Sequence, residues 1–453
     1  MSLPQLFKDR VVKDMGQAEA DSLFAALSTD SPISIRLNPF KVKAPIDECR
    51  VGWSRYGFYL SERPSFTLDS DFHAGAYYVQ EASSQFVSHI LSYRNMEGLR
   101  LLDMCAAPGG KTTLYSTLVG LEGLVVANEI NRSRAAILAD NVRKWGLGNV
   151  VVCNNRSEHI SQFESWFDVA AIDAPCSGEG MFRKMEEAVD EWSPSNVVMC
   201  AERQYEILDN AWRSLKAGGT LIYSTCTFNS VENEGVLERF MVEYGDEIAP
   251  YEKVECDEDW GVVCGMVGDF QTFRFFPHRA KGEGLFVAVA TKSYDAGGKM
   301  RQPKSRKRIF SPLDRQSLQE VSRYVAQPEL MVFLSVADTM IYGYYRAQVD
   351  AIKSLAESLT TIYSGVAMGQ VFKGRLKPDA ALALFHDLRR DVVNVAELDN
   401  SNILLYLRKQ ELSADLFEEG VNIVAANGYT IGFVKRIASR VNNLYPNSLR
   451  VLK

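Results

Sequence analysis

Between residues 98 and 291, short runs of aliphatic and β-branched residues alternate with amphipathic segments. This alternation restricts the fold more than any other feature of the chain. Strands that are apolar on both faces must be covered on both faces, and the intervening segments have the period of helices, so the pattern predicts a parallel sheet between helical layers. The predicted strands are LRLLDM (99–104), LVVANEI (124–130), NVVVCN (149–154), FDVAAIDA (167–174) and TLIYSTC (220–226). FRFFP (273–277) and LFVAVAT (285–291) follow as a hairpin-like end. Helices are expected over 133–145, where Leu138, Val142 and Trp145 share a face, and over 202–216, where Leu208, Trp212 and Leu215 do. Gly146 and Gly218 are their expected stops.

A chain of 453 residues exceeds what one core usually supports, so two to four domains are expected. The composition, 46% hydrophobic and 24% charged, is that of a soluble protein, and no apolar stretch is long enough to cross a bilayer. The N-terminus lacks a charged-then-apolar leader, which points to the cytoplasm. Eight scattered cysteines, without a CxxC pair or a histidine at zinc spacing, read as thiols rather than as disulfides or metal ligands, so no metal is expected. Residues 292–312 lose apolar periodicity and read as a basic linker. This divides the chain into an N-terminal unit (1–75), the alternating region (76–291), an accessory region (313–390) and a β-rich module (391–453). The net charge is −7, yet RQPKSRKR (301–308) and the carboxylate-free last nineteen residues, with Lys435, Arg436, Arg440, Arg450 and Lys453, are locally basic. Such runs are most often solvated linkers and gain meaning only from context.

The most informative loop is Asp103-Met104-Cys105-Ala106-Ala107-Pro108-Gly109-Gly110-Lys111-Thr112, placed after a strand and before a helix. Small residues there let a ligand approach the backbone, and unpaired N–H groups at a helix start favour negative charge. A phosphate loop would need glycine at Cys105, and dinucleotide GxGxxG spacing is absent, which leaves an NTPase as the alternative reading. Glu129 stands at the end of the second strand, where a carboxylate accepts hydrogen bonds from both ribose hydroxyls of an adenosine. By itself it could equally be a solvated strand end.

Cys176, in Asp173-Ala174-Pro175-Cys176, and Cys226, in Ser224-Thr225-Cys226-Thr227, follow the carboxyl ends of the fourth and fifth strands. That is where open α/β sheets place chemistry. Cys49, Cys153, Cys200, Cys256 and Cys264 read instead as small hydrophobes.

These segments resemble the Nol/Nop/Sun family of RNA cytosine-5 methyltransferases. The resemblance rests on DMCAAPGGK, DAPCSGEG, STCTFNSVENE, PHRAKGEGLF, SIRLNPFKV and GAYYVQEASS, and spans about residues 33–291. The closing GYTIGFVKRIASRVNNLYPNSLR is similar to the PUA-like RNA-binding module of the bacterial RsmF-type branch, which acts on 16S ribosomal RNA. The resemblance implies an α/β fold: a Rossmann-like S-adenosylmethionine-dependent methyltransferase domain, a small N-terminal α+β domain and a C-terminal β-rich PUA-like module. It implies S-adenosyl-L-methionine as cofactor, held by Cys105, Ala106, Ala107, Pro108, Gly109, Gly110, Lys111, Glu129, Arg134 and Asp173. Where the family has an aspartate near the adenine, this chain has Cys153-Asn154-Asn155, so Asn154 or Asn155 would serve. The implied partner is RNA, 16S ribosomal RNA or a small-subunit assembly intermediate, bound by a monomer without a membrane or metal. Cys226 is the implied nucleophile toward cytosine carbon 6 and Cys176 the group that releases the product. Positive potential from nearby helix starts and from Lys111 would raise the Cys226 thiolate fraction, and Asp173 would meet the ring edge, either accepting from the exocyclic amine or donating to ring nitrogen 3. A non-catalytic RNA-binding assembly factor is the reading from another class, and the intact set of Cys226, Cys176, Asp173, Lys111 and Glu129 argues against it.

Overall fold

The computed structural model describes residues 3–42, 48–304, 309–337 and 340–452. The apolar runs form β1 (Arg100–Asp103), β2 (Leu124–Asn128), β3 (Val150–Cys153), β4 (Phe167–Asp173) and β5 (Leu215–Thr225), all parallel, in the spatial order β3-β2-β1-β4-β5. Alternate residues enter opposite cores. Leu101, Val125, Val152 and Val169 pack on one face, and Leu102, Val126, Val151 and Ala170 on the other, all shut from solvent. Burial on both faces is why these strands read as continuous apolar runs rather than as alternating ones.

The hairpin-like end is a longer antiparallel extension. β6 (Val263–Val267), β7 (Phe270–Phe275) and β8 (Leu285–Lys292) follow one another, and β8 pairs antiparallel with β5. At the opposite edge β9 (Thr361–Ser364), from the accessory region, pairs antiparallel with β3. The weak pattern of 313–390 has this physical origin, since its strands serve two sheets. Its other strands belong to a separate five-stranded sheet.

Helix α1 (Gly110–Leu118) follows β1, and α2 (Arg132–Trp145) follows β2. Asn131 caps α2 by accepting from the N–H groups of Ser133 and Arg134, and Gly146, at φ +78°, ends it as expected. Helix α3 (Pro194–Ser214) differs from expectation: it begins eight residues earlier, behind a Ser193 cap, and stops before Leu215. Gly218 does not end it. Leu215 already belongs to β5, and Gly218 lies inside that strand at φ +71°, with the Tyr294 ring 2.4 Å from where a Cβ would stand.

The N-terminal unit opens with the helices Gln5–Met15 and Gln17–Leu27 and has a four-stranded sheet whose last strand, Tyr77–Val79, lies just beyond the expected boundary at 75. Arg36, buried in this sheet, donates to Gln80 Oε1 (2.7 Å), Thr113 Oγ1 (2.6 Å) and the Gly110 carbonyl (3.1 Å), and lies over the Trp145 ring. The sheet is thereby locked onto the start of α1. The C-terminal module is a four-stranded sheet that touches the same unit through Tyr445 and His73 (3.2 Å) and through Asn427 and Asp71 (3.0 Å). Half of the basic run, 305–308, and Lys453 lie outside the described residues. Among the described residues no helix is long and apolar enough to cross a membrane.

Candidate active site

The strand order reverses between β1 and β4, so the loops leaving their carboxyl ends diverge and open a crevice, the usual ligand position of such sheets. A cleft of about 180 Å³ occupies it. Its floor is Asp103, Cys105, Ala106, Ala107, Pro108, Gly110 and Lys111 on the β1 side and Asp173 on the β4 side. Gly109 turns the chain into α1 at φ +114°, where a Cβ would come within 3.0 Å of Leu138. Tyr78, Val79, Gln80, Glu81 and Ser84 of the N-terminal unit close the cleft from above. These wall residues are absent from the expected set, although they fall in the GAYYVQEASS stretch that carries part of the family resemblance.

Asp103 ends β1 fully buried. Burial pushes its carboxyl up to about 7, against the Thr112 hydroxyl that donates to Oδ2 at 2.6 Å. The Lys111 ammonium lies 2.8 Å from Asp173 Oδ2, and Ser224 donates to Asp173 Oδ1 at 2.9 Å. Burial works to lower the Lys111 pKa, but Asp173, with Asp103 and Glu81 beyond it, outweighs burial and raises it. Burial pushes the Cys105 thiol far up, so Cys105 is an inert wall group.

Glu129 is buried at the end of β2, just beyond the cleft floor, with Oε1 accepting the Asn131 N–H at 2.9 Å. Arg134 stands 3.6 Å from Glu129 Oε2 and donates to the Ala107 carbonyl at 2.8 Å, so it braces the loop from behind. The two asparagines separate. Asn155 donates to and accepts from the Thr360 backbone, which ties β3 to the accessory region and occupies its amide. Asn154 donates to the carbonyls of Glu129 and Ile130 at 2.7 and 2.8 Å, and among the described residues no donor meets its Oδ1.

Beyond Asp173 the two cysteines meet, with Cys176 Sγ 3.2 Å from Cys226 Sγ. Both are free, partly exposed thiols. The hydrogen bond with Cys226, and then burial, holds the Cys176 thiol well above the ordinary range. Adjacent strands bring the loops close, and two buried carboxylates pin them. Glu232 accepts from the Ser177 N–H (2.8 Å) and hydroxyl (2.5 Å), from Gln204 (2.9 Å) and from Asn229 (2.6 Å), and burial pushes its carboxyl up. Glu179 accepts the Phe228 N–H (2.9 Å), Trp192 Nε1 (3.0 Å) and Asn229 Nδ2 (3.2 Å). Gly180 donates to the Cys226 carbonyl at 2.8 Å, and a Cβ there would stand 2.6 Å from that oxygen. Neither Glu179 nor Glu232 was expected in the site, although both sit inside the motif stretches. Among the described residues no group of three or more His, Cys, Asp or Glu is placed to hold a metal.

Residues 89–291 match the family described as 16S rRNA methyltransferase RsmB/F, residues 3–82 the N-terminal domain of 16S rRNA methyltransferase RsmF, and residues 393–451 the methyltransferase RsmF PUA domain. Ribosomal RNA small subunit methyltransferase F of Aeromonas salmonicida is 30% identical over 88% of this chain and 84% of its own length. The chain belongs to the RsmF family of methyltransferases. The Erwinia tasmaniensis member is 31% identical, also over 88% of this chain and 84% of its own length. Among solved structures, a methyltransferase homologue from Pyrococcus horikoshii is 27% identical over 64% of this chain and 95% of its own, with a TM-score of 0.52. NSun6 from the same organism, solved with SFG, shares the fold at 19% identity and a TM-score of 0.54, over 64% and 98%. The family is one of S-adenosylmethionine-dependent methyltransferases, which sets aside the NTPase reading.

Proposed function

We propose that this chain transfers a methyl group to carbon 5 of a cytosine in 16S ribosomal RNA, through a covalent bond between Cys226 and cytosine carbon 6. The observation that carries this reading is the pair of free thiols 3.2 Å apart, next to the Lys111–Asp173 ion pair. A single structural cysteine needs no thiol partner at the mouth of a cofactor crevice. An enzyme that must both form and break a thioether has work for two.

The cleft fits the cofactor: small residues line its floor, Gly109 and Gly110 keep the backbone open, and Glu129 and Asn154 Oδ1 offer acceptors at the neighbouring strand ends. Residues 105–111, Glu129 and Asn154 would hold S-adenosylmethionine, braced by Arg134, with Asp173 on the reacting side. Bound S-adenosylmethionine supplies the methyl group.

The Cys226 thiol releases its proton to solvent, and the thiolate adds to carbon 6, moving the ring electron pair so that carbon 5 becomes enamine-like. Asp173, held by Lys111 and Ser224, accepts from the exocyclic amine and orients the ring. Once the Cys226 sulfur is bonded to carbon 6 it no longer holds the Cys176 proton by a hydrogen bond, and the Cys176 thiol gives that proton to solvent; after methylation the Cys176 thiolate takes the carbon 5 proton. The electrons of that C–H bond restore the 5,6 double bond as the Cys226 sulfur leaves. A base within a helical stack is out of reach of either thiol, so the substrate cytosine is unpaired or flipped.

The unit over 1–75 and the accessory region are proposed to position the RNA beside the catalytic unit, 76–291. The basic linker and the exposed Lys435, Arg440 and Arg450 of the 391–453 module would contact phosphates. The test is site-resolved mapping of 5-methylcytosine in ribosomal RNA from cells lacking the gene, complemented with wild-type or Cys226→Ala protein. Loss of one small-subunit 5-methylcytosine, restored by wild type alone, is expected. An unchanged map would overturn the proposal.

A further inference from the structure

The N-terminal helix Gln5–Met15 reaches the catalytic loops directly. Its Phe7 and Val11, with Leu23 and Leu27 of the next helix, share a core with Phe182, Trp192 and Phe228, which flank the two cysteine loops. Arg10 stands among them. Its Nη2 lies 2.8 Å from Glu179 Oε1, and its guanidinium packs 5.4 Å from the Phe7 ring centre and 6.0 Å from that of Trp192. The Arg10 Nε, Nη1 and Nη2 atoms are all shut from solvent, and among the described residues none has a hydrogen-bond partner, so the contact with Glu179 is an ion pair. Glu179 is therefore the group that compensates this cation.

Glu179 in turn joins the two loops. It stands three residues after Cys176, and its Oε2 accepts the N–H of Phe228, two residues after Cys226. The other carboxylate that pins the two cysteine loops, Glu232, is satisfied by neutral donors from Ser177, Gln204 and Asn229. Of these two carboxylates only Glu179 meets an arginine, and that arginine comes from the far end of the chain. Removing one member of a buried ion pair leaves the other uncompensated, and a buried carboxylate so left tends to swing toward water or take up a proton. Either response would loosen the Phe228 N–H anchor and with it the spacing of the thiols.

We propose that Arg10 is a positioning residue for methyl transfer. Through Glu179 it fixes the approach of Cys176 to Cys226 and so makes the N-terminal helix part of the catalytic apparatus. Arg10 touches no reacting atom. The proposal rests on the covalent reading of the two cysteines.

The experiment compares Arg10→Met, Arg10→Lys and Arg10→Met/Glu179→Gln in the full-length protein, by kcat and by KM for RNA and for S-adenosylmethionine. For Arg10→Met, kcat should fall about 10- to 100-fold, as a displacement of about 1 Å at reacting groups does, with both KM values unchanged. Arg10→Lys should retain most of kcat. The double variant, with no buried charge left to compensate, should recover part of the loss. A wild-type kcat for Arg10→Met overturns the proposal, and so does a loss carried wholly by the KM for RNA, which would make Arg10 an RNA contact. If Arg10→Met does not fold, the double variant decides: a reduced kcat at unchanged KM is expected, and a wild-type kcat refutes the role. Cys226→Ala is assayed in parallel. If it forms no RNA adduct while Arg10→Met behaves as wild type, the Arg10 role fails alone; if Cys226→Ala keeps activity, the covalent reading fails.

Discussion

The ammonium of Lys111, the first charged residue of α1, lies 2.8 Å from the carboxylate of Asp173 at the end of β4. Their strands are neighbours in the sheet but arrive from opposite sides of its topological reversal, so the ion pair spans the mouth of the crevice. Replacing Lys111 with Met should free Asp173 from the orientation that meets the base. We expect kcat/KM to fall about 100-fold, as misplacement of an orienting group by about 1 Å does. Methyl transfer to RNA measures it, and an unchanged rate would reduce the pair to a structural contact.

Glu129 is buried with one carboxylate oxygen held by the Asn131 N–H. Glu129→Ala should weaken S-adenosylmethionine binding by about 1 to 3 kcal/mol, because bonds from two hydroxyls to a charged acceptor are lost. Calorimetric titration reads this directly, and equal affinity would remove Glu129 from the cofactor site.

Asp103 carries a pH dependence whose sign is fixed by its burial. Its folded pKa, about 7, lies above its ordinary value of 3.8, so the folded state binds the proton more tightly. This stabilisation is complete below about pH 4 and is lost as pH rises through about 7, up to about 4 kcal/mol in all. Asp103→Asn should therefore gain stability relative to wild type at pH 8 and lose that advantage at pH 5, as followed by thermal unfolding. Parallel curves across this range would contradict the assignment.

The C-terminal module shares a core with Ala74 and touches His73, so removing it would disturb the N-terminal unit as well. Neutralising Lys435, Arg440 and Arg450, all exposed, is the cleaner change. If each contacts one phosphate, the slope of log affinity against log salt should shrink by roughly 0.7 to 0.9 per residue, with S-adenosylmethionine binding unaltered. An unaltered slope would place the RNA elsewhere.

The central sheet was legible because its strands are buried on both faces, which leaves the continuous apolar runs of Leu101–Leu102, Val125–Val126 and Val150–Val152. The start of α3 was not, since Pro194, behind its Ser193 cap, lies eight residues before the stretch in which Leu208 and Trp212 mark the helical period, and its end was hidden because Leu215 continues that period into β5 without a turn. The thiol pair was legible as two strand-end cysteines; their contact depends on the adjacency of β4 and β5. Residues brought by other units left weaker signals. Tyr78 reaches the cleft from a different sheet and Glu81 from the loop that follows it, Thr360 occupies Asn155 from more than two hundred positions away, and Arg10 is an ordinary helix residue until it meets Glu179.

The account turns on the opposite roles of two thiols in contact. The decisive measurement is denaturing gel electrophoresis of the protein after incubation with unmethylated 16S ribosomal RNA and S-adenosylmethionine. Cys176→Ala should methylate once and remain tethered, giving a band of protein joined to RNA that survives denaturation. Cys226→Ala and the double variant should give none and no methylation, because without the thiolate nothing adds to carbon 6. A tethered band from Cys226→Ala but not from Cys176→Ala would reverse the roles, and full activity without a band in both would contradict the covalent mechanism.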